Sequence, residues 1–142
     1  MFVTFCIHAR WVLPENARSV VLECVVRDHM ITYALEAAVI MPDHVHVIFW
    51  PLRSSKGGAY SLPQILKRIK STSAHQLNKL LRRSGPVWQE EFFDHAIRKA
   101  DSLQQKIDYL LMNPVRKGLC SLTSQYRWTW MASADEGVRA TS

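Results

Sequence analysis

Hydrophobic positions change period along the chain, from two to about 3.6 and back, and each change predicts an element. Residues 2–8 alternate as a strand does, 15–29 carry a helical stripe, and 31–41 and 44–51 return to strand-like runs. A polar loop over 52–60, a helix over 62–81, a short strand around 92–98 and a helix over 102–113 follow. The boundaries have local causes. Ser61 with Gln64 three residues on is a capping-box signature, and Pro42-Asp43 marks the turn between the two central strands. Asp101 with Gln104 is expected to cap the last helix, and Pro114 to stop it by turning Asn113 out of helical conformation. The order β-α-β-β-α-β with a further helix predicts an α+β fold: a ferredoxin-like antiparallel sheet backed by helices. The 142 residues suit one domain, taken as 1–133, with the small, polar residues 134–142 as a frayed tail. The glycine-bearing stretch 53–59 is expected to be either a flexible lip over a site on the preceding strand or a plain connector.

Within this pattern, one strand carries unexpected side chains. Met41-Pro-Asp-His-Val-His-Val-Ile-Phe-Trp50 places His44 and His46 on one strand face, their Cα atoms roughly 6.5–7 Å apart, while Val45, Val47 and Phe49 point the other way into a core. Two imidazoles at that spacing suit one metal ion. They equally suit a pair of hydrogen-bonded, half-buried histidines. On the last helix, Leu103, Ile107, Leu110 and Leu111 form an apolar stripe, and Gln105, Tyr109 and Asn113, four apart, form a second, polar row out of phase with it. A phenol and a carboxamide on adjacent turns can reach one site together, although an amphipathic surface tyrosine and an ordinary helix-end asparagine account for the same residues.

Four blocks resemble one family. Met41-Pro-Asp-His-Val-His46, Ser84-Gly-Pro-Val-Trp-Gln-Glu-Glu-Phe-Phe-Asp-His-Ala-Ile-Arg98, Tyr109-Leu-Leu-Met-Asn-Pro-Val-Arg-Lys-Gly-Leu119 and Tyr126-Arg-Trp128 follow the order and spacing of the single-tyrosine transposases of the His-hydrophobic-His (HUH) superfamily. The resemblance covers roughly residues 2 to 130 and is to the REP-associated tyrosine transposases, relatives of the insertion-sequence IS200-like enzymes. It implies an HUH endonuclease fold in which His44, His46 and Asn113 hold a divalent metal, Mg²⁺ or Mn²⁺, and Tyr109 is the nucleophile. It implies cleavage and rejoining of single-stranded or hairpin DNA through a 5′-phosphotyrosine that leaves a free 3′ hydroxyl. Asp43 departs from the pattern, since the family more often has asparagine there. The same chemistry serves relaxases and rolling-circle initiators, and a domesticated hairpin-binding protein without mobility would share the fold. Relatives act as monomers or as dimers, so self-association stays open.

Composition agrees with a polyanionic partner. There are 18 Lys and Arg against 12 Asp and Glu, a formal charge of +6. Lys67, Arg68, Lys70, Arg82 and Arg83 make one helix and its exit cationic, and with Arg98 and Arg116 they are the candidate DNA contacts. Trp88, Phe92, Phe93, Trp128 and Trp130 could stack unpaired bases, but nothing in the pattern separates them from core aromatics. Hydrophobic residues make up 48%, ordinary for a soluble fold, and no apolar run approaches the roughly 20 residues of a membrane span. The start lacks the basic residues and cleavage site of a signal peptide. Three cysteines with no Cys-x-x-Cys spacing read as reduced thiols in a cytoplasmic protein. No phosphate-loop glycine motif is present, so nothing supports an ATP-driven mechanism.

Overall fold

A computed structural model describes residues 1–132, apart from the side chains of Ala100 and Asp101; the tail expected at 134–142 lies outside the described residues. Five strands, β1 (Phe2–Cys6), β2 (Tyr33–Ile40), β3 (His44–Pro51), β4 (Phe93–His95) and β5 (Thr129–Met131), form one sheet in the order β4-β1-β3-β2-β5. Every pairing is antiparallel. The first four strands have the ferredoxin-like order, and β5 extends the sheet beyond β2. Three α-helices, α1 (Glu15–Arg27), α2 (Leu62–Leu81) and α3 (Ala100–Arg116), complete the α+β fold. Among the described residues no helix is long and apolar enough to cross a membrane.

Strand alternation separates the two faces of the sheet. One carries Val3, Phe5, Val45, Val47, Phe49 and Leu35, all fully buried. It meets α1 through Tyr33, stacked on Phe49 and donating its hydroxyl to the Val25 carbonyl. It meets α2 through Trp88, whose ring packs on Phe5 and whose Nε1 donates to Ser73 Oγ. The other face carries Phe2, Thr4, Cys6, His44 and His46, in register across β1 and β3, and α3 packs there against β2 and β3. Burying one face under two helices leaves the second for the site.

α2 and β3 have the expected bounds, and Ser61 caps α2 as a capping box, giving and receiving a hydrogen bond with Gln64. Elsewhere the structure departs from the expected pattern: α1, β2 and β4 are each shorter than expected, and β5 was not foreseen. The strand expected at 2–8 ends at Cys6, because His8–Arg10 turns through left-handed conformations, Ala9 at φ 57° and Arg10 at φ 53°. β5 is too short, at three residues, to leave a periodic signal. α3 does not stop at Asn113, and it begins at Ala100 with Lys99 as its N-cap, two residues before the expected Asp101 cap, whose side chain lies outside the described residues. It also runs through Pro114 to Arg116. A proline this close to the helix end removes one backbone bond without unwinding the last turn. Gly118 is the true terminator. At φ 75° it bonds back to Val115 O while Leu119 N bonds to Pro114 O, the two bonds of a Schellman motif.

Candidate active site

The two histidines converge. Nε2 of His44 lies 3.1 Å from Nε2 of His46, with the rings edge to face. Each ring is also held from behind: His44 Nδ1 is 2.7 Å from Asp43 Oδ1, and His46 Nδ1 is 2.7 Å from Oγ1 of Thr4, its cross-strand neighbour on β1. An ionised carboxylate can only accept, so His44 donates from Nδ1 and presents a bare Nε2. The Thr4 hydroxyl donates or accepts. His46 can therefore keep its proton on Nε2 and donate to His44, or move it to Nδ1 and turn both Nε2 lone pairs toward one point.

Asp43 is itself anchored. Arg10 reaches its Oδ2 through Nε at 3.0 Å and Nη2 at 2.9 Å. The left-handed turn after β1 aims that guanidinium, at a backbone cost of about 1–2 kcal/mol per residue for L-amino acids. Ile7 N donates to Asp43 O at 2.9 Å and ties the hairpin turn to the end of β1. Burial alone would raise the Asp43 carboxyl, but the hydrogen bonds from His44 and Arg10 outweigh it and hold the group below the usual carboxylate range. Burial pushes the His44 imidazole down despite the Asp43 charge. Burial also lowers His46, to about 3, and repulsion from His44 when protonated, from Arg116 and from Lys117 adds to it. Both rings are neutral at pH 7, the form that binds metal.

α3 supplies the remaining residues. Tyr109 is 56% exposed, and its ring centroid lies 6.2 Å from that of Phe2, which is 5.6 Å from His46; Phe2 thus bridges nucleophile candidate and histidine. Arg116 covers the other side of the phenol, its guanidinium 4.2 Å from the ring centroid and bonded to the Tyr109 carbonyl at 2.6 Å. Asn113 differs from the expected polar row. Four residues rotate a helix by about 400°, so a row spaced by four drifts about 40° per step. Gln105 is exposed, Tyr109 half-exposed, and Asn113, only 6% exposed, has joined the sheet-facing stripe of Leu103, Leu110 and Pro114.

The REP-associated tyrosine transposase of Escherichia coli strain K12 is 29% identical to this chain over 94 residues, 66% of this chain and 52% of that protein. A Haemophilus influenzae protein provisionally given the same name is 26% identical over 98 residues, 66% of this chain and 56% of its own. The chain is similar in sequence to the REP-associated tyrosine transposases. It spans about half the length of the curated relatives it matches. A solved REP-associated tyrosine transposase bound to a REP hairpin shares the fold, with a TM-score of 0.74 at 22% identity over 90% of this chain and 73% of that one. No family model matches the chain.

A divalent metal, as this transposase family implies, fits the residues present. The two Nε2 atoms, 3.1 Å apart, are the atoms that would hold such an ion, since imidazole nitrogens are common ligands of divalent metals. Among the described residues no group of three or more His, Cys, Asp or Glu could hold a metal ion. Asn113, the third ligand that the resemblance implies, is a carboxamide, outside that set of residue types.

The candidate DNA contacts divide by face. Lys67, Arg68, Lys70, Arg82 and Arg83 belong to α2 and its exit, on the face opposite the histidines, and three of them are engaged. Arg68 pairs with buried Asp28 at 2.8 Å, Lys70 donates to the Gln89, Glu90 and Glu91 carbonyls, and Arg83 binds Asn78 and lies over the Trp11 ring. Lys67 and Arg82 are exposed. Arg116 stands at the tyrosine, and Arg98 is exposed just past β4. The stretch 53–59 folds into a turn closed by the Arg53–Ala59 bridge, and leaves β3 seven residues from His44, about 23 Å along the strand. It is a connector and not a lip. Sequence reasoning missed Thr4, Arg10 and Phe2, whose roles arise from β1–β3 pairing, from the turn after β1 and from the packing of α3 on the sheet.

Proposed function

We propose that this chain cleaves and rejoins single-stranded DNA beside a hairpin, through a covalent phosphotyrosine formed on Tyr109. The observation that carries the reading is the pair of neutral Nε2 atoms, 3.1 Å apart, each backed by an outer hydrogen bond and linked to an accessible tyrosine through Phe2. When bound, a divalent metal held by His44, His46 and Asn113 would polarise the scissile phosphate. Asp43 and Thr4 keep the two imidazoles aimed at one point. Arg116 sets a guanidinium beside the phenol, where charge develops on the phosphoryl oxygens. The Tyr109 phenol gives its proton to water as its oxygen attacks phosphorus, the bond to the 3′ oxygen breaks, and that oxygen takes a proton from water and leaves as a 3′ hydroxyl. The 5′ phosphate stays on the tyrosine. Attack by a 3′ hydroxyl reverses the step and needs no nucleotide, since the phosphotyrosine keeps the bond energy.

The test incubates protein and Mn²⁺ or Mg²⁺ with a labelled hairpin carrying unpaired flanks, and reads adducts on a denaturing gel. Wild type is expected to form one and Tyr109→Phe none, with hairpin binding retained. Tyr60→Phe is the control, because Tyr33 and Tyr126 donate their hydroxyls to buried carbonyls. Wild type binding the hairpin without an adduct would leave a DNA-binding protein lacking this chemistry.

A further inference from the structure

We propose that Phe93 is a stacking platform for an unpaired base of the substrate strand, a nucleotide or two from the phosphate that Tyr109 attacks. The inference rests on the proposed function and adds to it a binding residue. Among the described residues β4 is an edge strand paired with β1, in the register Phe93 to Thr4 and His95 to Phe2. Phe93 and His95 therefore stand on the face of the histidines, and Phe93, Thr4 and His46 form one row across three strands. At about 4.8 Å per strand, the Phe93 and His46 Cα atoms are roughly 10 Å apart.

Phe93 differs from the other aromatic candidates. Trp88 and Trp128 are buried, donating Nε1 to Ser73 and Ser19, while Phe92 and Trp130 are partly buried against the core. Phe93 is 60% exposed, in a strand whose three residues are all exposed. A phenyl ring left in water at that position contributes nothing to the core. Its surroundings match a nucleic-acid strand in charge. Lys106 lies over the Phe2 ring of the next row, Arg116 covers Tyr109, and Arg98 and Lys99 are exposed three and four residues past the end of β4. Asp94 points to the opposite face. A strand bound at Tyr109 and running toward β4 would meet cations along its phosphates and a free π-face for one base.

The experiment uses the full chain and a hairpin with unpaired flanks of mixed sequence, fluorescent aminopurine replacing one flank base at a time. Wild type is expected to quench one or two adjacent flank positions on binding. Phe93→Ala should lose that quenching and weaken flanked-hairpin binding about five- to a hundred-fold. Phe93→Trp should keep both, and Phe93→Leu, apolar but without a π-face, should behave like alanine. Wild-type adduct formation with unchanged quenching and affinity in Phe93→Ala overturns the platform and leaves the proposed function standing. A change in sedimentation in place of DNA affinity makes the ring a contact between copies and also overturns it. If wild type binds no unpaired flank, the platform and the proposed function fall together.

Discussion

At the scale of single residues, the site depends on what stands behind each histidine. Asp43 orients His44 and makes its bare Nε2 more basic, hence a better metal ligand, and Arg10 holds Asp43. Asp43→Ala should weaken Mn²⁺ binding about ten- to a hundred-fold, measured by titration calorimetry, with little loss of fold. Asp43→Asn, the residue more usual in the family, should lose less, because a carboxamide oxygen still accepts from Nδ1. Unchanged affinity in the alanine variant would show that the carboxylate does not support the site. His46 adds a pH dependence whose sign follows from its lowered pKa. Between about pH 6.5 and 3 the unfolded chain binds a proton at His46 that the folded chain does not. Its contribution to stability is therefore present above pH 6.5 and is lost as pH falls, by at most about 1.4 kcal/mol per pH unit. His44, lowered in the same direction, adds to the loss. Asp43, held below its ordinary value of 3.8, adds to the loss only as pH falls below that value. Urea denaturation should show stability dropping between about pH 7 and 5, more steeply in wild type than in His46→Gln.

At the scale of elements, helix ends decide which residues reach the site. α2 begins where Ser61 and Gln64 satisfy each other's backbone donors, and Ser61→Ala should cost about 1 kcal/mol in chemical denaturation without changing adduct formation, since α2 lies on the far face of the sheet. α3 ends where Gly118 takes φ 75°, and a Cβ there would meet nothing within 4 Å, so Gly118→Ala would be penalised by backbone strain alone. The expected loss is about 1–2 kcal/mol. Because the last turn carries Arg116 and Lys117 toward the histidines, this variant should also slow adduct formation. A stability loss with unchanged cleavage would show that the end of α3 does not order the site.

At the scale of the whole molecule, the sheet divides the work. One face is covered by α1 and α2 and is dry; the other carries the histidines, α3 and a border of exposed cations. With a formal charge of +6, hairpin binding should weaken as salt rises, and the slope of log affinity against log salt counts the phosphates contacted. Arg116→Ala is expected to make that slope shallower. Lys70→Ala should leave it unchanged, because Lys70 is bonded to the 89–91 backbone. Equal effects of the two would mean that the strand crosses the α2 face as well.

The sequence alone determined whatever depends on neighbours a few residues apart. Alternation in β3 assigned His44 and His46 to one face and Val45, Val47 and Phe49 to the core, and the Ser61–Gln64 pair set the start of α2. These are local periodicities and caps, written in consecutive residues. Tertiary structure decided the rest. Arg10 meets Asp43 across 33 positions and Thr4 meets His46 across 42, contacts set by strand register and invisible to spacing. Asn113 turned inward because a row spaced by four drifts around the helix, and which side of that drift is buried depends on how α3 lies on the sheet. The basic run of α2 was legible as charge, but its separation from the histidines was not. The face of the sheet that a helix covers follows from how α1, α2 and α3 share its two sides, a competition for apolar surface that only the folded chain resolves.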